Sequence, residues 1–469
     1  RMTEPAEDPP PFLAEGERPN AEDLYGLNRE IVDAVIEALS TGNRMQLLSA
    51  LRTQHPADIA DLIERLAPQQ RRALMGLIRP RLNPDVISEL NDTVREQVYE
   101  ELGADGLASV VTRLDSDDAL DLVEDLDEDF REKVLRSIPA EMRAHLAEGL
   151  SYPEDSAGRL MQRDLVSMPE YWSVGDAIDF FRAARDLPDY FYDIYVVDPK
   201  HKPVGMIELN RLVRAKRRVP LTDIMDSELT SLPYNMDQEE VAFLFRQRDL
   251  VSAPVVDADG RLLGVVMSDD VMDVIEEEAQ EDIMALGGVS DGDLHMAVLD
   301  TTRSRFSWLF VNLLTAIAAS VVIGLFEDTL EKIVALAVLM PIVASMGGNA
   351  GTQTLTVAVR ALAMKELTAT NARRVIMREL GVGLLNGLMF AVLAGVVAWV
   401  WFDQPQIGLV IGLAMLANLL VAGLSGASIP LVLDRLGVDP AVASAVFLTT
   451  VTDIVGFFVF LALGATFLL

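Results

Sequence analysis

Five long apolar stretches near the C-terminus constrain the fold of this 469-residue chain more than any other feature. A hydrocarbon core of about 30 Å is crossed by about 20 helical residues, and each stretch is long enough to do so. The stretches lie near Trp308–Phe326, Ile333–Val359, Leu380–Phe402, Ile407–Val432 and Ala441–Leu469. The sequence therefore predicts an all-α membrane domain of five transmembrane helices.

The charges between the stretches alternate in sign from one connection to the next. Glu327 and Asp328 follow the first stretch, and Asp403 follows the third. Basic residues precede the first stretch and fill the connection between the second and third, and Arg435 lies between the fourth and fifth. Because cytoplasmic loops carry an excess of Lys and Arg, we predict a multi-pass protein of the inner or plasma membrane. Its N-terminus would be cytoplasmic and its C-terminus outside.

A single carboxylate, Asp453, interrupts the last stretch, which carries no other charge. An ionisable group at membrane depth is costly and normally faces a partner or a water-filled path. Two interpretations stay open from this residue alone: a cation site, or a neutral Asp that hydrogen-bonds to a neighbouring helix. The five stretches contain no second carboxylate and no histidine, which argues against an intramembrane enzyme.

The second stretch becomes polar and glycine-rich after Pro341, over residues 345–353 (SMGGNAGTQ). Irregular backbone at membrane depth is tolerated only against protein or a water-filled cavity, so we expect an opened segment or a tightly packed wall here. Asn349 and Gln353 are four residues apart and share one helical face. The glycines permit close helix approach, and a packing interface without an ion is the alternative.

The chain offers oxygen ligands and few others. It has no cysteine and only four histidines, which excludes disulfides, thiolate zinc sites and His-rich sites. Within the stretches, neutral oxygens accompany Asp453 at Asn418, Thr449, Thr450 and Thr452. One carboxylate among neutral oxygens suits a hard divalent cation that keeps much of its water, as Mg²⁺ does.

The net charge of −33 lies on residues 1–300, because residues 301–469 contain nine Lys or Arg and nine Asp or Glu. An acidic surface repels nucleic acid, so no nucleic-acid partner is expected, and it attracts cations. Ordinary solubility and cation sensing both explain this charge. No apolar signal segment opens the chain, so we expect the acidic half to stay in the cytosol.

Two internal repeats divide the acidic half. Residues 57–66 (ADIADLIERL) recur as residues 117–126 (DDALDLVEDL), which is typical of a helical solenoid. A second repeat, offset by 59 residues, places YVVD and GMI in one copy and PVVD and GVV in the other, beginning at Tyr195 and Pro254. Each copy combines a helix, a strand, a turn and another strand. This arrangement resembles a tandem pair of CBS domains.

The residues after the final strand of each CBS copy depart from the pattern that is usual in nucleotide-binding CBS domains. CBS domains that bind adenine nucleotides usually carry a Thr or Ser and an Asp after the final strand. The first copy has Glu208 and Arg211 there, and the second has Met267 and Asp270. We therefore do not expect adenine nucleotide binding from these residues alone.

An acidic segment follows the second CBS copy, over residues 269–282 (DDVMDVIEEEAQED). Its carboxylates recur at spacings of three and four, so they share a helical face and repel each other unless cations screen them. A solvated surface helix is the ordinary interpretation. The position of the segment, directly before the first apolar stretch, favours a cation-dependent role.

On these features the chain resembles the MgtE family of magnesium channels and transporters over essentially its whole length. The motifs that carry the resemblance are Pro341 with residues 347–353 (GGNAGTQ), 436–440 (LGVDP), 452–456 (TDIVG), 55–62 (HPADIADL) and 281–288 (EDIMALGG). The implied fold is multidomain. We expect a disordered tail at 1–20, an acidic α-helical superhelical N domain at 21–150, α/β CBS domains at 151–215 and 216–275, an acidic linker (plug) helix at 276–302 and the five-helix pore domain at 303–469.

The resemblance also implies a homodimer in membrane lipid, with one pore between protomers lined by the second and fifth spans. Asp453 matches the pore aspartate that holds hydrated magnesium, and the other candidate pore residues are Asn349, Gly348, Gln353, Thr449, Thr452 and Asn418. By motif matching, the family's inner-mouth and cytosolic magnesium positions fall on Asp439, Asp117, Asp118, Asp121, Asp237, Glu239, Asp270, Glu278, Glu281 and Asp282.

The expected function is a magnesium-selective channel that lets Mg²⁺ enter down its electrochemical gradient. Intracellular Mg²⁺ bound between the acidic domains would close it, so Mg²⁺ is both substrate and regulator. Two alternatives stay open. One is a membrane-anchored divalent-cation sensor without transport, and the other is a related transporter that prefers Mn²⁺, Co²⁺ or Ca²⁺.

Overall fold

The computed structural model describes residues 29–79, 82–184, 187–188, 190–289, 298–368 and 370–469. The tail expected at residues 1–20 lies outside them. The chain divides into two compact units, one ending at Val274 and the other running from Ile275 to Leu469. The first unit contains a helical domain followed by two small α/β domains, and the second contains the long apolar helices.

The helical domain consists of short amphipathic helices around a single hydrophobic core. The helices are α1 Arg29–Thr41, α2 Arg44–Leu51, α3 Pro56–Arg65, α4 Pro68–Ile78, α5 Asp85–Ser88, α6 Asp92–Val111, α7 Ser116–Glu124, α8 Glu128–Ser137 and α9 Ala140–Gly149. The repeat seen in the sequence places equivalent residues in the core. Leu62 and Ile63 of α3 are fully buried, and so are Leu122 and Val123 of α7, within 2%. The predicted helical N domain is confirmed.

Each α/β domain contains a three-stranded sheet, in the orders β1-β2-β3 and β4-β5-β6. In both sheets the first pair of strands is parallel and the second pair is antiparallel. The elements are α10 Ala157–Leu160, β1 Val166–Pro169, α11 Val174–Ala183, β2 Asp193–Val197, β3 Pro203–Glu208, α12 Leu209–Arg214, β4 Leu232–Pro233, α13 Gln238–Arg248, β5 Ser252–Val256 and β6 Leu262–Met267. The shared topology confirms the predicted tandem repeat.

A buried hydrogen-bond chain joins the two repeats. The Tyr195 hydroxyl lies 2.5 Å from the Ser252 hydroxyl, which donates to the Asp193 carboxylate at 2.7 Å. Tyr195 and Asp193 belong to β2, and Ser252 belongs to β5. Because buried polar groups are costly when unpaired, this chain of bonds fixes the two sheets against each other.

A single 20-residue helix, α14 (Ser268–Gly287), follows β6. It contains eight Asp or Glu and no Lys or Arg. Its first part is anchored by Val271 and Val274, which pack into the core of the second α/β domain. Apolar packing therefore stabilises the helix, whereas the repulsion between its like charges destabilises it. No basic residue in its last turn offsets the helix dipole.

The second unit contains six further helices, of which five are long and apolar enough to cross a membrane in the described part of the chain. The six are α15 Val298–Gly324, α16 Glu327–Lys332, α17 Val334–Ala363, α18 Ala372–Phe402, α19 Pro405–Arg435 and α20 Pro440–Phe467. Helix α19 is the most buried of the five, whereas α15 and α18 expose apolar side chains. The five predicted transmembrane helices are confirmed, and short α16 lies between the first two.

Candidate functional site: a polar stripe, a membrane carboxylate and two acidic clusters

Helix α17 carries a row of polar side chains on its exposed face. Ser345, Asn349, Thr352, Gln353 and Thr356 recur at spacings of three and four and are all exposed. We call this row the polar stripe. Residues so spaced share one helical face, and an exposed polar face at membrane depth requires a water-filled path or a protein partner. The stripe includes two of the predicted pore residues.

The opposite face of α17 is packed through its glycines. A side chain at Gly347 would collide with the Asn418 amide of α19, and a Cβ atom at Gly351 would lie 2.8 Å from the Leu448 side chain of α20. The α17 backbone is helical from Val334 to Ala363, with Pro341 inside it. The opened segment considered from the sequence is therefore absent from this region, and the tightly packed wall is present. The small residues serve close approach of three helices.

Asp453 lies on α20, about 14 Å along the helix from Ser444 at the start of the span. Its side chain is only partly buried. Among the described residues, its carboxylate has no hydrogen-bond or ion-pair partner. The interpretation of Asp453 as a neutral group bonded to a neighbouring helix thus finds no support within one chain, and the carboxylate stays available to a ligand or a second protomer.

The packing contacts set the register of Asp453 against α17. Gly456, three residues after Asp453, packs on the same Asn418 amide as Gly347, and Leu448, five residues before it, packs on Gly351. Asp453 therefore lies at the level of Gly348 and the neighbouring stripe. A Cβ atom at Gly348 would meet no other atom within 4 Å, so this position is open.

The remaining predicted pore residues separate into two groups. Thr449 is exposed, and its hydroxyl donates to the Ala445 carbonyl of its own helix. Thr452 is fully buried and donates to carbonyls of α20 at 3.1 Å. Asn418 is also fully buried, and its Nδ2 donates to the Val343 carbonyl of α17 at 2.9 Å. Thr449 thus lies on the exposed surface, whereas Thr452 and Asn418 lie inside the protomer.

The sequence analysis missed a buried carboxylate near the start of the third spanning helix. Helix α18 begins at Ala372, eight residues before the predicted start, and therefore includes Glu379. Glu379 is 9% exposed, and its carboxylate accepts a hydrogen bond from the Thr354 hydroxyl of α17 at 3.3 Å. The run of Arg373, Arg374 and Arg378 concealed the start of the helix, because charged residues lower the apparent hydrophobicity of its first turns.

Acidic side chains also meet where the C-terminal end of α17 lies beside the N-terminal end of α20. The Asp439 carboxylate caps α20 by accepting a hydrogen bond from the Ala441 N–H at 2.8 Å. Burial, followed by the charges of Asp439 and Glu278, raises the pKa of Asp282. Ala285, three residues later on α14, is buried with Leu355, Val359, Ala441 and Leu448. The end of α14 therefore packs against the C-terminal end of α17 and the N-terminal end of α20.

Three predicted sensor residues, Asp117, Asp118 and Asp270, form what we call the cytosolic carboxylate cluster. Burial, followed by the charges of Asp270 and Asp118, raises the pKa of Asp117 well above its usual value. Burial raises the pKa of Asp118 to about 6 and that of Asp270 to about 7, with neighbouring acids adding to both shifts. The Asp117 residue is partly exposed, but its Oδ1 atom is buried without a hydrogen-bond partner among the described residues.

The other predicted sensor residues lie outside this cluster or serve local structure. Asp121 pairs with Arg95 at 3.0 Å, and Asp237 caps α13 by accepting from the Glu239 N–H at 2.9 Å. Glu239 is exposed. Glu278 is partly buried and Glu281 is exposed on α14. No group of three or more His, Asp or Glu side chains in the described ranges is arranged to hold one metal ion. An ion at any of these acids would complete its shell with water or with another protomer.

The raised pKa values predict an inverse dependence of stability on pH without divalent cations. Between 3.8, the ordinary Asp value, and about 7, the folded protein binds more protons at Asp117, Asp118 and Asp270 than the unfolded chain does. The free energy of unfolding should therefore fall as pH rises through this window. Thermal melting of the purified protein in EDTA checks this, with the melting temperature expected to fall as the pH rises.

Added Mg²⁺ should reverse this trend, because it stabilises the ionised carboxylates and binds the folded state. The Asp117→Asn and Asp270→Asn double variant is the control, since it should show a flatter pH dependence and a smaller Mg²⁺ effect than the wild type. A wild-type melting temperature that rises with pH in EDTA would contradict the assignment.

Comparisons with known proteins agree with this organisation. The family model described as "Divalent cation transporter" matches residues 340–463, and the MgtE intracellular N domain matches residues 54–155. The CBS domain model matches residues 157–218 and 221–277. The matched regions contain the polar stripe, Asp453 and the cytosolic carboxylate cluster.

Relatives show similarity across more than nine-tenths of the chain. The magnesium transporter MgtE of Thermus thermophilus is 33% identical over 93% of this chain and 98% of its own length. The magnesium transporter MgtE of Bacillus subtilis is 29% identical over 94% and 98%. A crystal structure of the cytosolic domain of the Mg²⁺ channel MgtE in complex with ATP is 30% identical, with a TM-score of 0.48, over 52% of this chain and 99% of that one. The chain therefore belongs to the MgtE family, a family of multi-pass membrane transporters and not of enzymes.

Proposed function

We propose that this protein is a magnesium channel through which Mg²⁺ enters the cell without ATP hydrolysis. The observation that carries the proposal is the exposed polar stripe of α17 at the level of Asp453, which has no partner of its own among the described residues. A hydrated divalent cation fits one carboxylate with neutral oxygens around it. An inside-negative potential favours entry by roughly 2.3 kcal/mol per charge per 100 mV. The names of the relatives agree with Mg²⁺ as the substrate.

A homodimer completes the path in this proposal. One protomer leaves the polar stripe and Asp453 facing outward, which is unfavourable against lipid. A second copy placed against the same face would enclose both stripes and bring two Asp453 carboxylates to one path. A divalent cation between them allows both to stay ionised. The alternating loop charges support a cytoplasmic N-terminus and an outside C-terminus.

Intracellular Mg²⁺ is proposed to close the channel by binding to the acidic cytosolic elements. The cytosolic carboxylate cluster and the eight acids of α14 repel one another, and bound cations offset that repulsion. The C-terminal end of α14 packs against the inner ends of α17 and α20, next to Asp439. A change in the cation content of α14 thus acts directly at the inner mouth.

The proposal assigns no role to a nucleotide. The Asp270 carboxylate, at the position that follows β6, accepts a hydrogen bond from the Met267 N–H at 3.3 Å. The charges of Asp269, Asp118 and Asp273 surround it. A nucleotide phosphate would meet four carboxylates there, whereas a divalent cation would be attracted by them.

Ion flux into proteoliposomes tests the proposal directly. With an inside-negative potential, wild-type protein should admit Mg²⁺, and Mg²⁺ on the cytosolic face should suppress that flux. Competition with Mn²⁺, Co²⁺ and Ca²⁺ then measures selectivity, and stronger flux of one of these ions would favour a related transporter. A protein whose stability responds to Mg²⁺ but that passes no ion would instead be a membrane-anchored sensor.

A further inference from the structure

Glu379 is a buried charge that the proposed ion path does not use. It lies about 10 Å along α18 from Ala372, within the inner half of the span. An ionisable group at this depth is rare and costly, so its position requires an explanation. The exposed Arg378 forms a long ion pair with it, with Nε 3.9 Å from Glu379 Oε1. The Glu379 side chain is buried inside the protomer, whereas the polar stripe is exposed, so it is not a wall of the path.

Its hydrogen-bond partner, Thr354, differs from the neighbouring threonines of α17. Thr352 and Thr356 donate to carbonyls of their own helix, at 2.9 and 3.0 Å. Thr354 lies on the opposite, buried face and donates to Glu379 of another helix. Its hydroxyl thus links the candidate pore helix to α18 instead of donating to a carbonyl of α17.

The surrounding helices approach closely at this contact. A Cβ atom at Gly426 of α19 would lie 2.7 Å from the Gly351 carbonyl and 2.9 Å from the Thr354 Cβ atom. At Gly423, a Cβ atom would lie 2.9 Å from the Glu379 carbonyl oxygen. Three helices therefore meet around the Thr354–Glu379 bond, and a rotation of α17 would break it.

Thr354 also follows Gln353 directly in the sequence. Consecutive helical residues are about 100° apart, so the orientation of Thr354 fixes that of Gln353 on the polar stripe. The contacts of Gly347 and Gly351 hold the middle of α17, and the Thr354–Glu379 bond lies beyond them towards the inner end.

We propose that Glu379 is a positioning residue for ion conduction, which holds the inner half of the pore helix through Thr354 so that the polar stripe faces the path. This inference rests on the proposed channel function for its flux measurement. Its second measurement, the exposure of residue 353, is independent of transport.

The absence of cysteine from the chain makes that second measurement clean. A Gln353→Cys variant carries one thiol, and its rate of modification by a water-soluble methanethiosulfonate reagent reports the exposure of that position. Adding Thr354→Val or Glu379→Leu should change this rate about tenfold, because either substitution removes the bond and Thr354→Val leaves a buried carboxylate unsatisfied. Thr354→Ser keeps the hydroxyl and should keep the rate within about twofold.

Mg²⁺ flux is measured in chains that keep Gln353 and carry the same substitutions at Thr354 or Glu379. Thr354→Val and Glu379→Leu should each lower Mg²⁺ flux about tenfold. The double variant should pass as much Mg²⁺ as the single variant with the lower flux, because both substitutions remove the same contact. Thr354→Ser keeps the hydroxyl and should keep the flux of the wild type. The control is Thr315→Val, which removes a hydroxyl that donates to the Asn312 carbonyl of its own helix at 2.8 Å. It should conduct like the wild type.

Unchanged labelling of residue 353 in both Thr354→Val and Glu379→Leu would overturn the inference, as would flux losses that add in the double variant. Failure of the channel proposal has a different signature. In that case the wild type passes no ion, while the labelling rates still respond to the loss of the Thr354–Glu379 bond.

Discussion

The Asp453→Ala variant is expected to pass no Mg²⁺ while folding and dimerising like the wild-type protein. Asp453 is the carboxylate of α20 at the level of the polar stripe, and the described residues provide it with no hydrogen-bond or ion-pair partner. Its removal therefore costs no hydrogen bond or ion pair within the described part of the chain. The loss falls on the ion, because the path would retain only neutral oxygens and no negative charge to attract a hydrated divalent cation.

Potential-driven Mg²⁺ uptake into proteoliposomes measures this effect, and size-exclusion chromatography with thermal melting checks the fold. The expected flux equals that of protein-free liposomes. Asp453→Asn should fail nearly as completely, since it keeps the shape and removes the charge. Asp328→Ala is the matched control, because Asp328 is an exposed acid of α16 outside the stripe. Wild-type flux in Asp453→Ala would refute the pore assignment.

Neutralising Asp117 and Asp270 together is expected to make the channel far less sensitive to internal Mg²⁺. The charge of each raises the cost of ionising its buried neighbours in the cluster, and an ion that binds there is attracted by both. Two amides in their place attract no divalent cation. The Mg²⁺ concentration for half-inhibition should rise at least about tenfold, which corresponds to about 1.4 kcal/mol of lost binding free energy.

Recordings from inside-out patches, with Mg²⁺ varied on the cytosolic face, provide the inhibition curve. The control removes two charges elsewhere, with Glu128→Gln and Asp129→Asn, both of which are exposed on α8. Net charge changes equally in the two double variants, so a difference between them reports the cluster itself. An unchanged curve for Asp117→Asn with Asp270→Asn would show that these residues are not the sensor.

Periodicity made the membrane and CBS domains predictable, because length and repetition are properties of the sequence itself. Five apolar stretches became five long helices, and the 59-residue repeat became two sheets of the same topology. The short strands β1 and β4 escaped notice, since Val166–Pro169 and Leu232–Pro233 are too brief to show an alternating pattern.

Packing between distant residues was not predictable, because it depends on which helices lie together. The glycines after Pro341 suggested an opened backbone, but α19 and α20 provide the surfaces that make a continuous helix favourable there. Glu379 was hidden for a related reason. Its burial depends on Thr354, 25 residues away, and on the glycines of α19. Asp453 was found early because no partner is needed to recognise a lone charge in an apolar stretch.

The contact of Gly347, Asn418 and Gly456 has a consequence for how the chain can evolve. The amide of Asn418 occupies the volume that side chains at both glycines would need, and it donates to the Val343 carbonyl. An alanine at either glycine is therefore compatible with this packing only when residue 418 becomes smaller, and a smaller residue 418 abandons the bond to α17. We therefore expect residues 347, 418 and 456 to be substituted together or not at all.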